Sequence, residues 1–186
     1  MKKIAVLILL LTLAFQAKAS DVVYDQTTVY LGVRTGTLMV DTIDGNHDIS
    51  FGVMFGVKFN EALGVELSYD NQFNGLFGTG WSTDAYQASL LLYLPASDRV
   101  QLYLVGGVGV YQSTYNYWES DGWDSHLVTD VNYSDGGFHA GAGIDIGITP
   151  NVAMTLDARY IFVEDNGPYA NRADGLLATV GFKFRF

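Results

Sequence analysis

Phe51-Gly52-Val53-Met54-Phe55-Gly56-Val57-Lys58-Phe59 places an apolar residue at every odd position and a glycine, a methionine or a lysine at every even one. A period of two marks a strand whose two faces meet unlike surroundings. The same rhythm recurs along the chain and predicts eight strands, at 28–40, 50–59, 63–73, 83–94, 100–115, 136–148, 152–163 and 175–186. The connections alternate in length. Those at 60–62, 95–99 and 149–151 are short and carry Asn, Asp and Pro, which set turn conformations. Those at 41–49, 74–82, 116–135 and 164–174 are long and polar. Short turns at one end and long loops at the other describe an up-and-down antiparallel meander.

The two faces differ in kind. One parity carries Val29, Leu31 and Val33, then Leu63, Val65 and Leu67, and ends on Phe182, Phe184 and Phe186, and no charge is expected on it. The other carries Arg34, Lys58, Glu66, Asp70, Asp145, Asp157, Arg159, Lys183 and Arg185, together with His139, many glycines and several tyrosines. Alternation alone does not say which face points inward. Glycines are a poor choice for a solvated strand surface, whereas glycines beside large tyrosines suit a narrow, tapered interior. Aromatic residues near the ends of the apolar parity match the interfacial girdles of a membrane barrel. The expected fold is therefore all-β, an eight-stranded antiparallel up-and-down transmembrane β-barrel, apolar face to lipid.

Composition agrees. Of 186 residues 49% are hydrophobic, 14% aromatic and only 16% charged, which excludes disorder and coiled coils. Without cysteine there is no disulfide, thiolate metal site or cysteine nucleophile. Lys2 and Lys3 precede an apolar run from Ile4 to Phe15, and Ala17-Lys18-Ala19 supplies small residues where a signal peptidase reads. Residues 1–19 are read as a secretory signal peptide and 20–186 as the barrel domain. Removing the three leader lysines leaves seven basic against 20 acidic residues, a net charge of −13. That balance excludes a general nucleic-acid binder, which carries a basic footprint.

Tyr30-Leu31-Gly32-Val33-Arg34-Thr35-Gly36, Val105-Gly106-Gly107-Val108-Gly109-Val110 and Gly141-Ala142-Gly143-Ile144-Asp145 give the chain its likeness to a known family. It resembles the small eight-stranded outer-membrane barrels, the family of outer membrane protein A's transmembrane domain and its short single-domain relatives. The run Val180-Gly181-Phe182-Lys183-Phe184-Arg185-Phe186 looks like the assembly signal of that class, with Val180, Phe182, Phe184 and Phe186 at alternate positions. The resemblance implies location in the outer membrane of a Gram-negative bacterium. It implies contact with outer-membrane lipid, lipopolysaccharide and the assembly machinery. The chain stops at Phe186, so a peptidoglycan-binding domain and its anchoring role are not carried over.

An eight-stranded barrel is just wide enough for side chains to fill it. Five basic and four acidic inward residues suggest mutual pairing, because a buried charge without a partner is costly. The first reading is a structural plug; the alternative is a narrow channel for water, ions or small solutes, gated by rearranging pairs. Lipid A deacylases and palmitoyltransferases occur among small outer-membrane barrels, and an activated serine needs a base within hydrogen-bond reach. Of His47, His126 and His139, the first two are expected in loops and the third inside the barrel, so no enzyme is expected. Function is then expected in the loops, through an unidentified ligand. Tyr117, Trp118 and Trp123, set among Glu119, Asp121 and Asp124, are the candidate contacts, although the tryptophans would serve equally as interfacial anchors. The Asp spacing fits no calcium loop. No metal and no cofactor are expected, and the barrel is expected to be a monomer.

Overall fold

The structure, a computed structural model, describes residues 27–40, 47–73, 80–95, 99–120, 125–163 and 174–186, with the backbone alone at 40, 95, 115–120 and 125–133. The predicted leader, 1–19, lies outside them. Eight strands follow in order: β1 Thr28–Val40, β2 His47–Lys58, β3 Leu63–Phe73, β4 Gly80–Pro95, β5 Val100–Ser120, β6 Ser125–Thr149, β7 Val152–Val163 and β8 Gly175–Arg185. Each pairs antiparallel with the next, and β1 pairs with β8 from Tyr30↔Arg185 to Val40↔Gly175, closing the barrel. Closure leaves the wall without an edge, the condition for a sheet to stand in lipid.

Local chemistry fixes the turn end. Asn60 Oδ1 accepts from the amides of Ala62 at 2.9 Å and Leu63 at 2.8 Å, folding the β2–β3 connection into a tight turn. The amide of Phe186 donates to Val29 O at 2.9 Å, and Asn151 exchanges hydrogen bonds with the Arg185 backbone at 2.8 and 3.1 Å. The last strand is thus tied to both neighbours at that end.

The faces fall as the alternation predicted. Leu31, Val33, Phe51, Val53, Phe55, Leu67, Leu90, Val108, Phe182 and Phe184 stand exposed around the outer wall. Aromatic pairs gather towards its loop-side rim, with Tyr69 and Tyr86 centroids 5.2 Å apart and Phe138 and Phe162 4.7 Å apart. Phe59, Phe184 and Phe186 occupy the other rim.

Two readings need correction. Residues 116–120 and 125–135, expected in a loop, are strand: β5 runs on to Ser120 and β6 starts at Ser125, and the two stay paired to Ser120↔Ser125. Their Tyr, Trp, Thr and Val residues favour the extended chain although their polarity resembles a loop. Between Tyr115↔Val131 and Asn116↔Thr129 the extra residue is Asp130, a bulge on β6. β2 and β4 also begin three residues earlier than expected, so His47 opens β2 and His126 belongs to β6 rather than to loops. The outer face is not free of charge either. Asp84 lies on it at the loop-side rim, where Tyr69 Oη donates to it at 2.6 Å and Asn71 Nδ2 at 2.9 Å. A carboxylate with two donors at the rim is tolerated where one at mid-wall would not be.

Candidate functional site

Inward residues stack in three tiers along the barrel axis. Following β1 from the turn end gives Tyr30, Arg34 and Leu38; following β8 backwards gives Lys183, Thr179 and Leu177; following β7 gives Thr155, Asp157, Arg159 and Ile161. Along β1, β7 and β8 the inward residues thus lead from the mouth to apolar Leu38, Ile161 and Leu177, while β2 to β5 bring the buried polar groups of Asp48, Ser50, Gln72, Thr83 and Ser113 to the same end.

The middle tier is an ionic network spanning β1, β3 and β7. Arg34 forks onto Asp70, with Nε 2.7 Å from Oδ1 and Nη2 on Oδ2, and also donates to Ser68 Oγ at 3.0 Å. Arg159 Nη2 donates to Glu66 Oε1 at 2.7 Å, and its Nε reaches Asp157 Oδ1 at 2.6 Å. Arg34 Nη1 stands 3.8 Å from Glu66, joining the two halves. Tyr30 Oη donates to Glu66 Oε2, and Tyr103 Oη to Asp157 Oδ2, each at 2.8 Å. Glu66 and Arg159 are 1% exposed and Asp70 is 0%. Charge-assisted, partly bidentate bonds of this kind are about twice as strong as neutral ones, and each charge here has at least one opposite partner.

Two glycines let the tyrosines reach. A Cβ on Gly56 would overlap the ring of Tyr30, and one on Gly143 the ring of Tyr103. Both pairs are register partners on adjacent strands, Tyr30↔Gly56 and Tyr103↔Gly143. The rings therefore lie flat across the neighbouring strand and aim their hydroxyls at the carboxylates.

Above the network, Leu38, Ala85, Tyr111, Ile161 and Leu177 pack into a buried apolar cluster, with Val163 against it. Below it, Lys183 Nζ is held by Asp145 at 3.0 and 3.1 Å and faces the rings of Tyr30 and Tyr103 at 5.0 and 4.6 Å. Arg185 lies 4.0 Å from the same carboxylate with its side chain 29% exposed, and Lys58 stands 4.8 Å over Tyr93. These last residues border a cavity of about 500 Å³ open at the turn end.

Of the nine charges predicted to lie inside, Arg34, Glu66, Asp70, Asp157 and Arg159 thus form one network. Asp145, Lys183 and Arg185 form a second group beside Lys58. Sequence reasoning missed Tyr30, Ser68 and Tyr103 as partners, and Arg99, which borders the cavity from a turn where strand parity has no reach. It also set His139 merely beside glycines, whereas its Nε2 lies 2.8 Å from Ser89 Oγ. That pair has the spacing of a base and a hydroxyl, but His139 Nδ1 has no hydrogen-bond partner and no carboxylate to orient it. Arg159 Nη1 also lies 3.3 Å from Ser89 Oγ, and the histidine is 1% exposed. The arrangement packs the interior and offers no acyl group an approach.

Val180, Phe182, Phe184 and Phe186 share the outward face of β8 and its end. Tyr117 and Trp118 lie on the extended part of β5 rather than in a loop. Trp123 lies outside the described residues.

The chain matches the family model described as "Outer membrane protein beta-barrel domain" over residues 5–186. No curated protein matches it. Among solved structures it is similar to the N-terminal β-barrel domain of Pseudomonas aeruginosa OprF, at 12% identity and a TM-score of 0.61, covering 87% of this chain and 100% of that one. It is similar to Neisserial surface protein A, at 15% identity and a TM-score of 0.62, covering 86% and 97%. Ail, the attachment invasion locus protein of Yersinia pestis, aligns at 19% identity and a TM-score of 0.53, again over 86% and 97%.

Proposed function

The chain belongs to the outer membrane protein β-barrel family and sits in the outer membrane of a Gram-negative cell, and from that premise we propose that it acts at the cell surface through the loop end of its barrel, with the barrel itself as a closed, structural support. One observation carries this reading: the ionic network fills the middle of the interior, and on its loop side the cluster of Leu38, Ala85, Tyr111, Ile161 and Leu177 packs beside the buried polar groups of Asp48, Ser50, Gln72, Thr83 and Ser113. An ion crossing the interior would have to part buried pairs, which is costly. The working surface is then the β5–β6 ribbon, with Tyr117, Trp118 and Trp123 as contacts.

Charge limits the partner. The loop-end connections carry Asp41, Asp44, Asp121, Asp124, Glu164 and Asp165 against a single Arg172. A structural neighbour, Ail, is described in complex with the heparin analogue sucrose octasulfate, and a polyanion of that kind would be repelled by this acidic end. A neutral or cationic partner suits it, or an anionic one such as lipopolysaccharide bridged by divalent cations.

Planar-bilayer recording tests the reading. The refolded protein should show no steady conductance, and cells displaying it should lose adhesion when residues 117–128 are replaced by a two-residue turn that leaves the barrel intact. A stable, ion-selective conductance altered by Glu66→Gln would favour the narrow channel instead.

A further inference from the structure

Outside residues 1–19 the chain has seven basic residues, and four of them, Lys58, Arg99, Lys183 and Arg185, line the cavity at the turn end. Among the described residues Asp145 is the only carboxylate in its lining. The four cations come from separate parts of the fold: the end of β2, the turn before β5, and two inward positions of β8. The backbone holds them there. Gly147 N donates to Arg99 O at 2.7 Å, tying the turn to β6, and the Arg185 backbone is bonded to Asn151. Glu61 is exposed at the same end but does not line the cavity. The space of about 500 Å³ is in the range that small-molecule sites occupy, about 300–1,000 Å³.

We infer that this mouth is a binding site for a phosphate-bearing anion. Two guanidinium groups offer planar forks that match phosphate oxygens, and two ammonium groups add point charge. Lys183 and Asp145 form a buried, compensated pair at the floor, so the excess positive charge of the lining lies on Lys58, Arg99 and Arg185, of which Arg99 and Arg185 stand at the rim where a ligand arrives. Tyr30 and Tyr93 complete the wall, each ring faced by a lysine ammonium. The mouth opens at the level of the Phe59 and Phe184 rim, so the phosphate reaches it either from a lipid headgroup in the adjoining leaflet or from a soluble phosphate ester. The inference is independent of what the loop end binds.

The test uses protein refolded in a maltoside detergent, which carries no phosphate of its own. Glycerol 3-phosphate is titrated in by calorimetry, and phosphatidylglycerol is offered against phosphatidylethanolamine in doped micelles with retention read by native mass spectrometry. Saturable binding in either arm is expected. It should weaken at least tenfold in Lys58→Gln/Arg99→Gln and stay unchanged in Arg172→Gln. Binding of the soluble ester identifies a soluble ligand, and selective retention of phosphatidylglycerol alone identifies the headgroup. Should the double variant fail to fold, wild type still decides the matter: the ligand should protect Lys58 from acetylation. Absence of saturable binding in both arms, equal binding by the double variant, or undiminished acetylation of Lys58 would overturn the inference.

Discussion

Replacing Arg159 with methionine tests whether uncompensated charge, rather than lost packing, governs the interior. Methionine keeps much of the aliphatic volume and removes the guanidinium that bonds Glu66 at 2.7 Å and Asp157 at 2.6 and 3.2 Å. Arg34 would then face Glu66, Asp70 and Asp157 alone. Breaking a buried pair by removing one partner costs about 3–5 kcal/mol. With a slope of about 1–3 kcal/mol per molar urea, the unfolding midpoint should fall by about 1 M or more. Glu61→Gln, at an exposed turn position, should change stability by no more than about 0.5 kcal/mol. The decisive comparison is Arg159→Met/Glu66→Gln/Asp157→Asn, which leaves Arg34 paired with Asp70 and keeps oxygen acceptors for Tyr30 and Tyr103. If charge imbalance is the cause, this triple variant is more stable than Arg159→Met alone. Urea unfolding in detergent, followed by far-ultraviolet circular dichroism at constant slope, measures all three. A single-variant loss within about 1 kcal/mol of Glu61→Gln, or a triple variant weaker than the single, would refute the reasoning.

Because β1–β8 pairing leaves no edge from which to unravel, the folded chain should resist mild detergent and migrate differently on gels before and after boiling; equal mobility, without a sheet signal in detergent, would contradict the closed barrel. Deleting Phe186, whose amide bonds Val29 O at 2.9 Å and whose ring ends the proposed assembly signal, should lower outer-membrane yield and leave chain in the periplasm, whereas Arg172→Ala should not. Equal surface yields would remove that role from Phe186.

What the sequence made legible follows from what strand parity can encode. Parity assigns a side chain to one face, and so it predicted that Arg34, Glu66, Asp70, Asp157 and Arg159 share the interior. It encodes neither depth nor which strand lies opposite. Arg159 reaches Glu66 from β7 to β3, which are not hydrogen-bonded neighbours, and Ser89 meets His139 across β5. The apolar layer was hidden for a related reason: Leu38, Ala85, Ile161 and Leu177 lie on the face that otherwise carries charge and glycine, where each looks like an isolated exception. The β5–β6 ribbon was missed because polarity was weighed above β-propensity, and above the membrane polarity no longer marks a loop. Asp84 falls on the apolar parity of β4 only at its loop-side end, beyond the apolar run Tyr86, Ala88, Leu90, Leu92 and Leu94 that marks that face.

The three tiers also separate the two ends electrically. Basic residues gather at the turn-end mouth, the middle tier holds Arg34 and Arg159 against three carboxylates, and the loop-end connections are acidic. A strand of 12 residues such as β7, rising about 3.3 Å per residue, sets the ends several screening lengths apart at about 8 Å each in physiological salt. The exposed charges at each end are screened by the electrolyte beside them, so the field of one end is weak at the other. An acidic loop end therefore does not weaken anion binding at the mouth, and the cations of the mouth do not soften repulsion at the surface. On the two proposals made above, each end would select its partner by its own charge, so that one small barrel would favour opposite kinds of ligand on the two sides of a membrane.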